Sequence, residues 1–415
     1  MDRTERPVSD RVLTAPVGCG PTTEVRFRRV EGLGTVPPRE VEDQTTWLAT
    51  LQGEAPLHAL RLQGLDLTEH RDLLLARDDL SDLVILGGRL DDEVEAHLRA
   101  HGSIIFPSDP RAPVDPYRGR LYTAQELFAG VTTDGYEATV DARAYRWFAD
   151  ATVRHDAYVT ALRAIHDDAM SDALTQVVRG RRVVGVMGGH ALRRGTDEFA
   201  AAALMGHRLA TGGALVVTGG GPGAMEAANL GAWALDEHEL AAGLTAISTV
   251  PDFVPDIGEW VRPALDFRLT SHVDAGNGDG PRPFRSLGIP TWYYGHEPPN
   301  AFAQLIAKFF SNALREDLLL AHSAHGLVVL PGAAGTVQEV FQMATRLYYE
   351  VDATEEDGRP ARPLTPLVLV GVEHWTSRLP VWPLLRALGD GRRMGQVLHL
   401  VDTVEEAAAL LHATP

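Results

Sequence analysis

Residues 216–229 read VVTGGGPGAMEAAN, a short apolar run that ends in three glycines and is followed by good helix formers. The apolar run predicts a buried strand, and residues 223–238 predict the helix after it. Glycine permits positive φ angles and lets another group come close to the backbone. A helix that begins at such a turn offers unpaired N–H groups and the positive end of its dipole, which together bind phosphate. The stretch therefore predicts a strand, an anion-binding turn and a helix.

The same alternation of short apolar strands and helices continues over residues 179–415. Strands are predicted at 181–189 (with its glycine turn), 214–221, 244–249, 289–295, 326–332, 366–371 and 396–402, and helices at 196–211, 223–238, 299–322, 335–350, 380–388 and 403–413. This pattern is typical of a parallel sheet covered by helices on both faces. We predict an α/β fold with a doubly wound, Rossmann-like parallel sheet, in which ligands bind at the carboxyl ends of the strands.

The preceding part of the chain is less regular. Residues 1–40 are rich in proline, glycine and charge and are predicted to be mostly irregular. Residues 41–136 predict a small accessory α/β domain, with strands at 82–88 and 103–107 and a helix at 91–102. Residues 137–178 have helical apolar spacing and are predicted to connect this domain to the Rossmann-like domain of residues 179–415.

Composition limits the classes of partner. The 415 residues carry a formal net charge of −18, which argues against binding to a nucleic-acid polymer or an anionic membrane surface. A small phosphorylated ligand remains compatible, because a few local donors suffice for it. The sequence has no apolar segment long enough to span a membrane and no secretory leader, so a cytoplasmic location is expected. A single cysteine, Cys19, excludes a disulfide within one chain.

A second glycine turn strengthens the phosphate interpretation. Residues 331–339 read PGAAGTVQE, a turn after a predicted strand that leads into a helix carrying Thr336 and Glu339. A dinucleotide site of an NAD(P) oxidoreductase is the less favoured alternative. The first turn fits G-x-G-x-x-A, but the next predicted strand, 244–249, lacks the terminal acid that would bind a ribose. Two such turns in one sheet favour a phosphate ligand.

The two turns together resemble the paired motifs of the Lonely-guy (LOG) family, nucleoside-5′-monophosphate phosphoribohydrolases often mislabelled as lysine decarboxylases. The stretches MGGHALRRG (187–195), EPPN (297–300) and AHGLVVLPG (324–332) are most similar to its pyrimidine/purine nucleotide 5′-monophosphate nucleosidase branch. The resemblance covers residues 181–350. It implies hydrolysis of the N-glycosidic bond to a free base and ribose 5-phosphate. It also implies a homodimer or higher homo-oligomer, with the site near a two-fold interface.

The resemblance also assigns residues. The catalytic pair is Glu339, which ends the second motif, and Arg315 on the preceding helix. Phosphate contacts are expected from Gly219, Gly220, Gly221, Gly223, Gly332, Gly335 and Thr336, and substrate contacts from Gly189, His190, Glu226, Asn229, Glu297 and Asn300. Ala333 stands where the family motif has glycine. For that reason, a nucleotide-binding sensor or carrier without turnover remains the alternative function.

Several of these side chains have a second interpretation. Glu226 and Asn229 lie one helical turn apart and either contact ribose or face solvent, and His190 either touches the base or belongs to a turn. Asn300 either contacts substrate or caps the predicted helix over 299–322. The aromatic residues at 292–294 are predicted to be strand core or to stack a base. Arg193 and Arg194 are predicted to lie on the surface, with contact to the phosphate as the less favoured alternative.

No metal and no cofactor is predicted. His322 and His325 lack a third ligand at metal spacing and are expected to be structural. A pyridoxal-phosphate-dependent lysine decarboxylase needs a lysine for its internal Schiff base, and Lys308 is the only lysine among the 38 basic residues. Because Lys308 lies within an apolar run, this activity is disfavoured.

Overall fold

A computed structural model describes residues 40–53, 55–274, 282–295, 297–349 and 363–412, so the predicted irregular segment 1–40 lies almost wholly outside the described residues. The described chain begins with a small parallel sheet in the order β1-β2-β3-β4. Its elements are β1 (Glu40–Val41), α1 (Gln44–Gln52), β2 (Arg61–Gln63), α2 (Arg71–Leu75), β3 (Val84–Leu86), α3 (Asp92–Ala100) and β4 (Ile104–Phe106). The strands and the helix predicted at 82–107 are all present. Trp47, Leu62 and Ile85 belong to a hydrophobic core of its own.

Three helices follow this sheet: α4 (Ala124–Leu127), α5 (Val140–Ala149) and α6 (Ala157–Val178). α6 is anchored by a buried carboxylate. Asp167 accepts hydrogen bonds from the backbone N–H groups of Phe310 (2.9 Å) and Ser311 (2.8 Å). The helical spacing predicted over 137–178 is therefore present as two main helices separated by a turn. The division into separate domains at these boundaries remains a prediction.

The larger sheet has the order β11-β10-β9-β5-β6-β7-β8, and all its described neighbours pair in parallel. Its strands are β5 (Val183–Met187), β6 (Leu215–Thr218), β7 (Ser286–Gly288), β8 (Leu305–Ile306), β9 (Leu327–Val329), β10 (Leu367–Val370) and β11 (Leu398–Val401). From β5 the chain adds β6, β7 and β8 in turn toward one edge of the sheet. It then returns to form β9 on the other side of β5. The predicted doubly wound, Rossmann-like α/β fold is confirmed, and its switch point lies between β5 and β9.

The helices on this sheet are α7 (Asp197–Thr211), α8 (Ala224–Trp233), α9 (Glu237–Ile247), α10 (Ile257–Asp274), α11 (Asn312–His322), α12 (Ala334–Tyr349), α13 (Val381–Gly389) and α14 (Val404–His412). Thr196 caps α7, accepting a hydrogen bond from the Phe199 N–H. α7 and α8 touch through their backbones. A Cβ on Gly206 would lie 2.2 Å from the Ala228 carbonyl oxygen, and one on Gly231 would lie 1.8 Å from that of Ala203. Among the described helices, none combines the length and apolar character needed to cross a membrane.

Three predicted elements were wrong. Residues 244–249 are not a strand, because Leu240, Gly243 and Ile247 bury one face of α9 at helical spacing. Residues 289–295 contain only an isolated pairing of Thr291 with Phe309. The predicted helix over 299–322 is helical only from Asn312. The run 301–310 before it is almost entirely buried and contains β8, and short apolar runs of this kind do not distinguish strand from helix.

Candidate functional site

Three turns meet at the carboxyl ends of β9, β5 and β6, where the sheet changes direction. The Gly189 N–H donates to the Pro331 carbonyl at 3.2 Å, which joins the turns after β5 and β9. The Ala224 N–H donates to the Gly189 carbonyl at 3.1 Å, which joins the turns after β5 and β6. The glycine motifs, far apart in the sequence, therefore form one surface at the place where open α/β sheets bind ligands.

Sterics explain the glycines after β6. Gly220 and Gly223 have φ angles of +71° and +70°, which side chains rarely adopt. A Cβ on Gly220 would also lie 2.6 Å from Pro290 Cδ, and one on Gly223 would lie 2.6 Å from the Gly189 and His190 carbonyl oxygens. The turn is buried, and the Gly220 N–H already donates to Thr218 Oγ1 at 2.9 Å. This turn holds neighbouring segments together as well as bordering the site.

Met225 covers the face of this turn. Its sulfur lies 2.8 Å from the Cβ position of Gly219, and its Cε lies 2.9 Å from that of Gly221. Sequence reasoning did not single out Met225. The motif shows only that the glycines leave room, and not which side chain occupies the room.

The turn after β9 is more open. The Cβ position of Gly335 has no neighbour within 4 Å, whereas that of Gly332 lies 2.1 Å from Thr336 Oγ1. Because α12 begins at Ala334, its first N–H groups lack partners within the helix. Outside glycine, the described residues with positive φ are Ala59 and Asp82, so Ala333 keeps an ordinary backbone conformation where the family motif has glycine. The first turn of α12 thus presents N–H groups of the kind that bind anions at helix N-termini.

Glu339 lies one turn further along α12 and faces Arg315 of α11. Arg315 Nη1 is 3.6 Å from Glu339 Oε1, and the two side chains are 8% and 15% exposed. Burial raises the pKa of Glu339 to about 7. Arg315 opposes this shift, and Glu316 and Glu297 add to it. Glu339 therefore changes its charge near neutral pH, which suits a group that exchanges protons.

Arg315 retains hydrogen-bonding capacity. Its Nε is buried without a hydrogen-bond partner among the described residues. Its Nη2 lies 3.8 Å from the Cβ position of Gly219, so the guanidinium spans from Glu339 to the β6 turn. Buried donors are nearly always satisfied in folded proteins, and an exception indicates a function or an absent partner. The predicted residues Arg315 and Glu339 are brought together, and one buried donor of the guanidinium has no partner among the described residues.

Other carboxylates surround this pair. Glu316 is 6% exposed and accepts hydrogen bonds from Asn312 Nδ2 and Gln338 Nε2, both at 2.7 Å. Glu297 Oε1 lies 3.2 Å from His190 Nδ1, and its Oε2 lies 3.7 Å from the Cβ position of Gly221. Sequence reasoning missed Glu316, because it follows Arg315 directly and belongs to no motif.

Asn229 and Asn300 support the β6 turn from behind. Both are fully buried, and Asn300 Nδ2 donates to Asn229 Oδ1 at 2.9 Å and to the Gly221 carbonyl at 3.1 Å. Asn229 Oδ1 also accepts from Thr218 Oγ1 at 2.7 Å. Asn229 does not face solvent, and Asn300 does not cap a helix, since the next helix begins at Asn312. Their polar atoms are used within the protein.

Glu226 and Arg194 form a buried ion pair. Both side chains are 1% exposed, and Arg194 Nε donates to Glu226 Oε2 at 2.9 Å. Arg194 Nη1 donates to the Trp260 carbonyl at 2.7 Å, and its guanidinium lies 4.3 Å from the centre of the Trp260 ring. The predicted surface position of Arg194 was wrong, and so was the solvent-facing alternative for Glu226. A carboxylate 32 residues away in the sequence gives the arginine an interior partner that no local pattern reveals.

The aromatic residues at 292–294 differ in burial, and Lys308 is buried in an ion pair. Trp292 is core at 1% exposure, but Tyr293 is 55% and Tyr294 37% exposed, so these two are not core. Lys308 Nζ pairs with Asp141 Oδ1 at 2.6 Å and is buried. Within the described ranges, no group of three histidine, cysteine or acidic side chains is arranged to hold a metal ion.

Fold and site together define a Rossmann-like α/β protein with a carboxylate–guanidinium pair at the switch point of its sheet. A scan against models of known protein families finds no match, and a search of curated proteins finds no significantly similar sequence.

Proposed function

We propose that this protein is a nucleosidase of the Lonely-guy type, which hydrolyses nucleoside 5′-monophosphates to a free base and ribose 5-phosphate. The observation that carries the proposal is the pair Arg315–Glu339, 3.6 Å apart, beside glycine turns at the switch point. A carboxylate with its pKa near 7 and a guanidinium with an unpaired donor supply the two functions needed, which are proton exchange and anion binding.

The reaction replaces the C1′–N bond by a C1′–O bond. As that bond breaks, its electron pair leaves with the base and the sugar gains oxocarbenium character, as in glycoside hydrolysis. The Glu339 carboxylate stabilises this positive charge and takes a proton from the attacking water. The net reaction adds the hydroxyl of water to C1′ and a proton to the leaving base.

The first turn of α12 accounts for the 5′-phosphate. Gly335 and Glu339 are four residues apart on one face of the helix, a rise of about 6 Å. A phosphate bound at the open N–H groups near Gly335 therefore leaves its ribose within reach of Glu339. The unpaired Arg315 Nε is a further donor to the phosphate or to a ribose hydroxyl. On this arrangement, the phosphate positions C1′ at the carboxylate.

A substrate panel tests the proposal. Purified protein is incubated with AMP, GMP, IMP, CMP or UMP, and free base and ribose 5-phosphate are measured. The corresponding nucleosides are the matched control, and we expect their kcat/KM to be lower on the order of 100-fold or more, because they lack the group that α12 binds. Nucleotide binding without release of base would contradict turnover and favour the sensor or carrier.

The pH profile tests the role of Glu339. Because the reactive form is the carboxylate, we expect kcat/KM for a monophosphate to rise with pH and to level off above about 7, the pKa of Glu339. Glu316→Gln removes a negative charge that raises this pKa and should move the midpoint to lower pH. Ionisation of the substrate phosphate, near pH 6, would give a step that this variant does not move. A profile that falls as pH rises through 7 would contradict a carboxylate base.

A further inference from the structure

A cavity of about 210 Å³ opens beside the start of α8. Its lining includes His190, Pro222, Gly223, Phe253 and Trp260, with Arg193 and Asp252 also on its wall. Sites that hold a whole drug-sized ligand usually measure about 300–1,000 Å³, so this cavity suits only part of a nucleotide. One planar base beside His190 is an occupant of fitting size.

The position of the cavity agrees with the proposed phosphate site. The strands β9, β5 and β6 are neighbours, and adjacent strands lie about 4.8 Å apart, so the ends of β9 and β6 are separated by about 10 Å. This separation is comparable with the length of a nucleoside monophosphate. A ligand with its phosphate at α12 thus crosses the β5 turn and carries its base to the cavity beside α8.

The hydrogen-bonding groups at the back wall of the cavity are already paired within the protein. Arg194 is engaged by Glu226, by the Trp260 carbonyl and by the Val250 carbonyl. Trp260 is covered on one face by the Arg194 guanidinium. Recognition of base edges must therefore come from other wall residues.

Arg193 and Asp252 are two other wall residues, and they are not hydrogen-bonded to each other. Arg193 Nε lies 3.9 Å from Asp252 Oδ2, which is longer than a hydrogen bond, and the side chains are 62% and 44% exposed. Asp252 Oδ1 accepts from the Val254 N–H at 3.2 Å, and its second oxygen faces the arginine. Both groups keep hydrogen-bonding capacity, one as a fork of donors and the other as an acceptor.

An arginine beside a carboxylate complements the hydrogen-bonding edges of guanine better than those of the other purines. Guanine presents two acceptors, O6 and N7, next to two donors, the N1–H and the 2-amino group, and arginine binds the O6/N7 edge in a bidentate manner. Adenine has a donor where guanine has O6. Hypoxanthine keeps O6, N7 and N1–H but lacks the 2-amino group. Hypoxanthine therefore tests the 2-amino group alone, whereas adenine differs from guanine at position 6, at N1 and at position 2.

We infer that this cavity is the base subsite and that Arg193 and Asp252 make the protein prefer guanine nucleotides. The inference rests on the proposed nucleosidase function and names its substrate. Arg193 binds O6 and N7, and Asp252 accepts from N1–H and the 2-amino group.

The test measures kcat/KM with GMP, IMP and AMP for the wild type, Arg193→Gln and Asp252→Asn. The wild type should prefer GMP over AMP by about 10- to 100-fold, the usual range for one bidentate contact. Asp252→Asn should lower GMP turnover about tenfold or more, lower IMP turnover less, and leave AMP turnover nearly unchanged. Arg193→Gln should lower GMP and IMP turnover alike and spare AMP.

Asp72→Asn is the matched control, because Asp72 is likewise exposed and lies 3.3 Å from an arginine, Arg71, on α2 of the small sheet. It should leave all ratios unchanged. Equal turnover of the three nucleotides, or a GMP-to-AMP ratio that Asp252→Asn does not alter, would overturn the inference and leave the nucleosidase standing. If no monophosphate is hydrolysed, the proposed function fails, and equilibrium binding of GMP and AMP to the wild type and Asp252→Asn decides the base preference.

Discussion

Glu339→Gln is expected to lower kcat for ribose 5-phosphate release on the order of 10³-fold, while KM for the monophosphate changes little. Glutamine keeps the shape of the side chain but neither accepts a proton from water nor carries the negative charge that faces C1′. The phosphate contacts at the start of α12 remain, so binding is preserved. Steady-state kinetics on the preferred monophosphate measure both parameters.

Stability separates a catalytic loss from damage to the fold. Burial raises the pKa of Glu339 from 4.5 to about 7, so ionisation of this carboxyl group destabilises the folded protein progressively as the pH rises above about 4.5, and the full loss is present above about 7. Glutamine has no such charge, and Glu339→Gln should unfold at the same or a higher temperature than the wild type at pH 8. The same change at the exposed Glu405 of α14 is the control and should leave kcat intact. Full activity of Glu339→Gln would refute the mechanism.

Glu226→Gln is expected to lower the free energy of unfolding by about 3–5 kcal/mol. Arg194 and Glu226 are each 1% exposed, and removal of the carboxylate charge leaves the guanidinium buried without its counter-ion. Denaturant titration followed by circular dichroism gives this free energy. The control is Glu373→Gln, which removes the acid of the exposed ion pair between Arg378 and Glu373. These two side chains are 3.1 Å apart and are 69% and 72% exposed.

Glu373→Gln should have no measurable effect on the free energy of unfolding, because solvent screens an exposed ion pair. A double variant, Arg194→Met with Glu226→Leu, removes both charges and should be less destabilised than the sum of its single changes. An effect of Glu226→Gln as small as that of Glu373→Gln would show that the buried pair contributes little to folding.

The sequence predicts the sheet well where short apolar runs end in glycine. The turns after β5, β6 and β9 all lie where the motifs place them, and in the β6 turn positive φ angles and close contacts restrict Gly220 and Gly223 to glycine. The errors fall at 244–249, 289–295 and 301–310. The run 301–310 is almost entirely buried and has no clear period, and the helical spacing at 244–249 appears only when Leu240 and Gly243, before the predicted strand, are included. Hydrophobicity reports burial at such places but leaves the element type undetermined.

At the candidate site, the residues that belong to motifs were predicted and their packing partners were not. Glu339 and Arg315 were identified through motifs, and they do lie together. The long-range partners of Glu226 and Arg194 were not, because an ion pair across 32 residues depends on how α8 packs over the loop before α7. Met225 and Glu316 were missed for a similar reason. Motifs indicate the backbone conformation around a ligand, whereas tertiary packing determines which side chains fill the remaining space.

The backbone contact between α7 and α8 bears on how this protein can change over evolution. At Gly206 and Gly231 no side chain fits, so the distance between the two helices is fixed, and with it the direction in which α8 points at the site. The side chains of Arg193 and Asp252 are exposed and bear no such constraint. On the proposed function, a lineage or a laboratory selection can therefore alter the choice of base at these two positions while it inherits the packing of α7 on α8 intact.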